Sequence, residues 1–229
     1  MNYSISNELS KYSIKSKQRI TFLLIFISCL LFNTTILSQD DGNSDRKCFV
    51  GVWPSEVDHV NGVMFNFWDK TNTKPEDGEF ELPTTNGLEL ILNPLGIMTV
   101  PISLFVGLGY PNAKKPFTEE EYNLEIEKEF KKVNGLLLAL LNLESTSIKG
   151  VEINLSGSLG TIIKGVSIGA TVNKRYELNG LGVGIGNFDT KVNGVQIGVL
   201  NTSLKLKGIQ IGLWNKNEKR SLPFINWNF

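Results

Sequence analysis

Histidine and cysteine are almost missing from this chain, at one and two of 229 residues. A zinc site takes three or four clustered His, Cys or carboxylate ligands. His59 and Cys48 do not supply that set, and no metal or cofactor is expected. Cys29 lies inside an apolar N-terminal run, which leaves Cys48 without a thiol partner downstream. No intramolecular disulfide is expected, so the fold must rest on packing and hydrogen bonds. His59 beside Asp58 has the chemistry of a base, but no Ser or Cys motif flanks it, and Cys48 is eleven residues away. A nucleophile pair needs contact in space that spacing does not show. No catalytic residue is assigned, and a hydrolase centred on His59 stands as the third reading of three.

A surplus of one charge is also lacking: 23 basic and 23 acidic residues give net zero. Four of the basic residues (Lys11, Lys15, Lys17, Arg19) and one acid (Glu8) fall in residues 1–38. The remainder holds 19 basic against 22 acidic residues, a net charge of −3. That balance carries no electrostatic footprint for nucleic acid. Long hydrophobic runs are missing too. The longest, Ile20 to Phe32, is short of the ~20 residues that span a bilayer. It follows a basic stretch and precedes Ser38, the pattern of a secretory signal cleaved after Ser38; the alternative is an uncleaved anchor. Residues 39–47 then form a polar spacer, and 48–229 a single β-repeat domain.

What the chain has is glycine, 22 residues of it. Six glycines, Gly135, Gly150, Gly165, Gly180, Gly194 and Gly208, are spaced 15, 15, 15, 14 and 14 apart. Each sits in one phrase: polar residue, Gly, aliphatic, any residue, aliphatic. The regular copies span Val133 to Asn215, with outlying copies around Gly62 and Gly87. The period is too short for paired helices, which repeat at about 33 to 47 residues. It fits strands and turns.

Number each copy from its Gly as position 0. Positions +1, +3 and +5 are aliphatic, as in Val195, Ile197 and Val199. Positions −2 and usually −4 are apolar, as in Leu206 and Leu204. Side chains of a straight strand alternate faces, so these two sets point apart unless the chain bends at Gly. If both belong to one core, Gly is a corner of positive φ. Asn142, Asn187, Asn201 and Asn215 at +7 then mark a second corner, where Asn tolerates the left-handed region. The expected fold is all-β: a solenoid-like stack of 14–15-residue coils, with Asn side chains able to ladder along a corner.

A rival uses the same residues as strands of a small antiparallel outer-membrane β-barrel. Its support is the alternating segment Ile225 to Phe229, which ends on an aromatic residue. Against it, the alternation after each Gly covers only about seven residues where a membrane strand needs ~9–11. The closing segment 222–229 otherwise reads as a strand capping the last coil.

Between the copies, Cys48 to Trp53 reads as a strand and Asp69 to Pro83 as a loop. Val100 to Tyr110 reads as a strand or buried loop within the pattern break. The insertion at 110–132 contains a helix over 118–132, opened by the capping box Thr118–Glu121. Its stripe Tyr122, Ile126 and Phe130 is expected to dock on the sheet, with Lys131 and Lys132 at its C-terminus. Gly180, Gly182, Gly184 and Gly186 alternate strictly, which makes one strand face small and is not a dinucleotide loop. Asn201-Thr202-Ser203 is a glycosylation sequon of a kind that occurs by chance. Trp53, Trp68, Trp214 and Trp227 fall at or near strand ends.

Laid out this way, the chain resembles the bacterial surface-repeat proteins, which join a secretion signal to runs of Asn/Lys-Gly-Val/Leu-Gln-Ile-Gly-Leu-x-Asn at about 14 residues. The match covers Val133 to Asn215 well, Val60 to Asn93 loosely, and the closing segment Leu222 to Phe229. Ser156-Gly157, where an Asn corner should follow Gly150, departs from the pattern, as does the helical insertion. The resemblance implies an exported protein of a Gram-negative outer membrane or cell surface. It implies a non-enzymatic structural or adhesin-like scaffold, with envelope components as partners and no catalytic residues to carry over.

Overall fold

The computed structural model describes residues 47–53, 57–67, 83–93, 115–127, 130–143 and 145–229. Ten strands and one helix make up the described part. The strands are β1 (Lys47–Trp53), β2 (His59–Asn66), β3 (Thr84–Ile91), β4 (Lys131–Ala139), β5 (Thr146–Asn154), β6 (Leu159–Gly169), β7 (Val172–Val183), β8 (Gly186–Ile197), β9 (Leu200–Lys216) and β10 (Ser221–Asn228). The helix α1 is Glu119–Ile126, between β3 and β4. The expected signal 1–38, the spacer up to residue 46, the loop up to residue 82, Trp68 and the stretch 100–110 lie outside the described residues.

The strands stack in sequence order, β1 to β10. β1 to β9 pair in parallel and only β10 turns back, antiparallel to β9. The fold is a parallel β-solenoid of about 8 turns. This overturns the barrel, which needs antiparallel neighbours and a closed sheet. The closing segment is the cap: β10 lies along the last coil, pairing Ile225 with Ile211 and Trp227 with Ile209.

Register follows the repeat phrase. Gly87, Gly135, Gly150, Gly165, Gly180, Gly194 and Gly208 pair with one another in series. The copies around Gly62 and Gly87 are thus not outliers, because β2 and β3 hold the same register as the regular copies.

The stacked glycines have φ from 134 to 146°, as the corner reading required. They are not corners, however. β4, β5, β6, β7, β8 and β9 each run through their Gly without interruption. Alternation also continues across it: Val192 at −2 and Gln196 at +2 are both buried, while Asn193 and Ile197 are exposed. Positive φ serves close stacking instead. A Cβ on Gly194 would run into the carbonyl oxygen of Gly180, and one on Gly208 into that of Gly194.

Two consequences correct the expected core. The −2 row is buried as expected, and Val133, Ile148, Ile163, Leu178, Val192 and Leu206 form the main apolar ladder with Ile91, Leu137 and Ala139. The +1, +3 and +5 rows do not join it. They lie on the opposite side of the strand, facing outward. The assumption that both aliphatic sets share one core forced a bend that the chain does not make.

The helix is shorter than expected. Its capping box forms: Glu121 N–H donates to Thr118 Oγ1 at 3.1 Å, and Thr118 N–H donates to Glu121 Oε2 at 2.7 Å. Yet it stops at Ile126, because β4 needs the residues from Lys132 onward to match Thr84 and the rest of β3 in register. Lys131 is therefore no helix-terminal cation. It is buried and paired with Glu89 inside the stack. Tyr122 and Phe130 dock as expected, packing around Tyr176 with Phe117 and Ile162, whereas Ile126 stays exposed.

Candidate functional site: an aliphatic face over a polar interior

Each coil from β2 to β9 places three aliphatic or aromatic residues outward, at +1, +3 and +5 from its Gly. The first coil supplies Val63, Phe65 and Phe67, and the last Ile209, Ile211 and Leu213. Eight coils give 24 such positions, and none carries a polar side chain. Parallel in-register pairing turns the +1 and +3 positions into two unbroken rows, and the +5 positions lie beside them, just past the strand ends in every coil but the last. Ile197 and Ile211 at +3 are 39% and 41% exposed, and Leu213 at +5 is 62% exposed. Those values are high for ladder residues, whose flanks are hidden by identical neighbours about 4.8 Å away. β10 extends the rows with Ile225 and Trp227, and Phe224 and Phe229 lie exposed on the same strand or beyond its end. Eight strands at ~4.8 Å and five residues at ~3.3 Å give a plane on the order of 450 Å² between backbone atoms. That falls within the roughly 300–600 Å² of a typical monomer's largest apolar patch, which is often functional.

The next outward row, −1, is polar. Asn134 Nδ2 donates to Asn86 Oδ1 at 2.8 Å, and Asn86 Nδ2 to Asn61 Oδ1 at 2.8 Å. Further along, the same row holds the exposed Lys149, Lys164 and Lys207. No Asp or Glu occupies rows −1, +1, +3 or +5 in these eight coils. Beyond, at −3, the lysines of the last coils are engaged by α1 and its flanks. Lys191 Nζ lies 3.9 Å from the Tyr122 ring centroid, and Lys205 pairs with Glu119 at 2.7 Å. Burial, helped by the nearby Glu125 and Glu121, pushes the Tyr176 hydroxyl up to about 12.

Behind the aliphatic face, beside the apolar −2 ladder, runs a polar part of the interior. Position +2 carries Glu89, Glu152, Ser167, Gln196 and Gln210, all fully buried. They are satisfied along the stack axis. Asn154 and Ser167 donate to Glu152 at 2.6 and 2.7 Å. Arg175 Nη1 donates to Ser167 Oγ at 2.9 Å, and its Nε and Nη2 grip Asp189 at 2.6 and 2.9 Å. Gln196 donates to Asp189, Gln210 to Gln196 at 2.7 Å, and Asn226 of the cap to Gln210 at 3.1 Å. Apart from Asn154 Oδ1, which has no hydrogen-bond partner, these groups have lost water and regained partners, which is the condition for burying them without large cost. Gly182, in the alternating glycine series, makes the space: a Cβ there would sit 2.6 Å from Arg175 Nη2.

Charges in this interior follow from the same burial. Desolvation raises the Glu152 carboxyl above its usual range, more than Ser167, Arg175 and the two Asn amides lower it. Desolvation, the largest single influence, would weaken the Arg175 proton, but the Asp189 charge, the hydrogen bonds to Asp189 and the Glu152 charge together outweigh it and hold the guanidinium above its ordinary range.

The expected second-corner asparagines are all buried. Among the described residues the one non-glycine with positive φ is Phe224, so Asn is not there for its left-handed backbone. Its side chain does the work. Asn187 donates to Asn201 at 2.9 Å, Asn201 to Asn215 at 2.8 Å, and Asn173, not foreseen, donates to Asn187 at 3.2 Å. Asn142 stands apart, reaching Glu152 at 3.4 Å. The sequon Asn201 is locked in this ladder, its amide nitrogen also donating to the Ile211 carbonyl at 2.9 Å.

The structure does not bring His59 and Cys48 together as neighbours in the ladder. Cys48 pairs with Val60, while His59 pairs with Lys47. Cys48 is packed against Val60 and Met64, and burial pushes its thiol up, away from a reactive thiolate. Among the described residues no group of three or more His, Cys, Asp or Glu is placed to hold a metal ion. Trp214 and Trp227 are half-exposed near the ends of β9 and β10.

Fold and surface together define a parallel β-solenoid with a polar spine and an aliphatic outer face. No family model, curated protein or solved structure matches the chain.

Proposed function

We propose that the chain is a non-enzymatic, exported scaffold of the bacterial envelope or cell surface, acting through its aliphatic face. The observation that carries this reading is the inversion of polarity. A chain selected only to fold would place its 24 apolar positions inside and its Gln, Glu and Arg outside. Here the stack keeps these apolar positions toward water across eight coils, at a cost in solubility, and buries hydrogen-bonded polar groups behind them. Such a surface suits binding, since large exposed apolar patches mark interaction sites. The basic N-terminal stretch and apolar run before Ser38 support export, as does the resemblance to bacterial surface-repeat proteins.

Cell fractionation combined with protease treatment of intact cells tests the reading. The full chain, expressed in a Gram-negative host, is expected in the envelope fraction, with residues 39–229 as the mature species. Recovery in the cytoplasm, starting at Met1, contradicts it.

A further inference from the structure

We infer that the aliphatic face docks on an anionic phospholipid surface, with its lysine border against the headgroups. This rests on reading the face as the binding surface, and adds the partner. Three observations select lipid. The first is breadth: the +1 and +3 rows run in register through eight coils with the apolar +5 positions beside them, an extended surface that suits a fluid apolar layer more than a shaped protein pocket. The second is the border. Lys149, Lys164 and Lys207 occupy the row next to the face, and no carboxylate lies in that row or in the three apolar ones. Basic side chains beside an apolar face are the arrangement that binds at an anionic interface. The third is the aromatic end. Trp227 and Trp214 are half-exposed where the rows terminate, and indoles favour the headgroup level.

A second copy of the chain fits less well. Two such faces packed together would bury apolar area, but neither offers the other a carboxylate row opposite its lysines. Lipid headgroups supply that charge opposite each of the three lysines.

Flotation with liposomes of phosphatidylcholine alone, or of phosphatidylcholine mixed with phosphatidylglycerol, tests the inference. Residues 20–32 are common to every variant, so only differences between variants report on the face. Wild-type protein is expected to bind the mixed liposomes about 100-fold more tightly than the neutral ones, on the basis of roughly one headgroup contact for each of three lysines. The Lys149→Gln/Lys164→Gln/Lys207→Gln variant should lose that difference. The Ile168→Thr/Ile197→Thr/Ile211→Thr variant, which keeps β-branched residues on the strand, should lose binding to both liposomes. Equal binding by wild type and both variants overturns the inference. So does a concentration-dependent dimer, seen by sedimentation and abolished by the Thr variant, without any difference in liposome binding. An apolar dye, anilinonaphthalene sulfonate, separates the two levels. If its fluorescence with the folded protein is the same for wild type and the Thr variant, the face itself is not a binding surface. If the Thr variant loses dye binding while liposome binding is unchanged, only the lipid partner is wrong.

Discussion

At the scale of single residues, the stacked glycines carry the most exacting demand. Gly208 has φ of 143° and no room for a Cβ against the coil before it. Both effects oppose any other residue. Gly208→Ala should lower stability by about 3 kcal/mol in chemical denaturation, combining an unfavourable φ with a backbone clash. Lys207→Ala next to it, an exposed position, should change stability by no more than about 0.5 kcal/mol. Equal effects would refute the close-stacking role. The unusual backbone was legible in the sequence, because Asn-Gly and Lys-Gly at a fixed interval point to positive φ. Its purpose was not legible. A Gly that turns the chain and a Gly that lets two coils approach leave the same mark on one sequence. Gly182 was legible as a small position, but nothing local showed that Arg175, seven residues earlier, fills the gap.

At the scale of elements, the polar spine joins successive strands, and Glu152 on β5 gives it a pH signature. Burial first of all raises the folded-state carboxyl pKa above its unfolded value. The folded protein therefore favours the protonated form. The stabilisation from that preference is complete below the ordinary carboxylate range and is lost as pH rises through the raised folded pKa. Against Glu152→Gln, wild type should lose relative stability over that window, with a slope of at most about 1.4 kcal/mol per pH unit. Denaturation midpoints of both proteins across the acidic to neutral range measure it. A constant difference between them, or one that grows in favour of wild type with rising pH, contradicts the assignment. The α1 helix shows the limit of local reading in the other direction. Its capping box was visible as Thr118 and Glu121, and it forms. Its end was not visible, because Lys131 and Lys132 look like helix-terminal cations until strand register claims them for β4. Phe130 docks as expected, in a cluster around Tyr176 that the sequence did not indicate, though not as part of the helix.

At the scale of the whole molecule, the short period and its eight copies were enough to indicate a stacked β architecture. The direction in which the stack faces was not. Apolar residues at −2 and at +1, +3 and +5 invite the view that all of them are inside. The decisive signal was quieter. Position +2 holds Glu152, Ser167, Gln196 and Gln210, residues that can bond one another only when stacked in register. A straight strand that buries −2 must also bury +2, so the polar set goes in and the aliphatic set goes out. Thiol accessibility tests that inversion most directly. In a full chain carrying Cys29→Ser and Cys48→Ala, Ile197→Cys and Gln196→Cys are compared for reaction with a water-soluble maleimide, without lipid. The neighbouring positions differ only in the face of the strand they occupy. Ile197→Cys is predicted to react as fast as an exposed thiol, and Gln196→Cys only as fast as the stack opens. Fast reaction at Gln196→Cys with protection at Ile197→Cys would place the aliphatic rows inside and contradict the inverted solenoid.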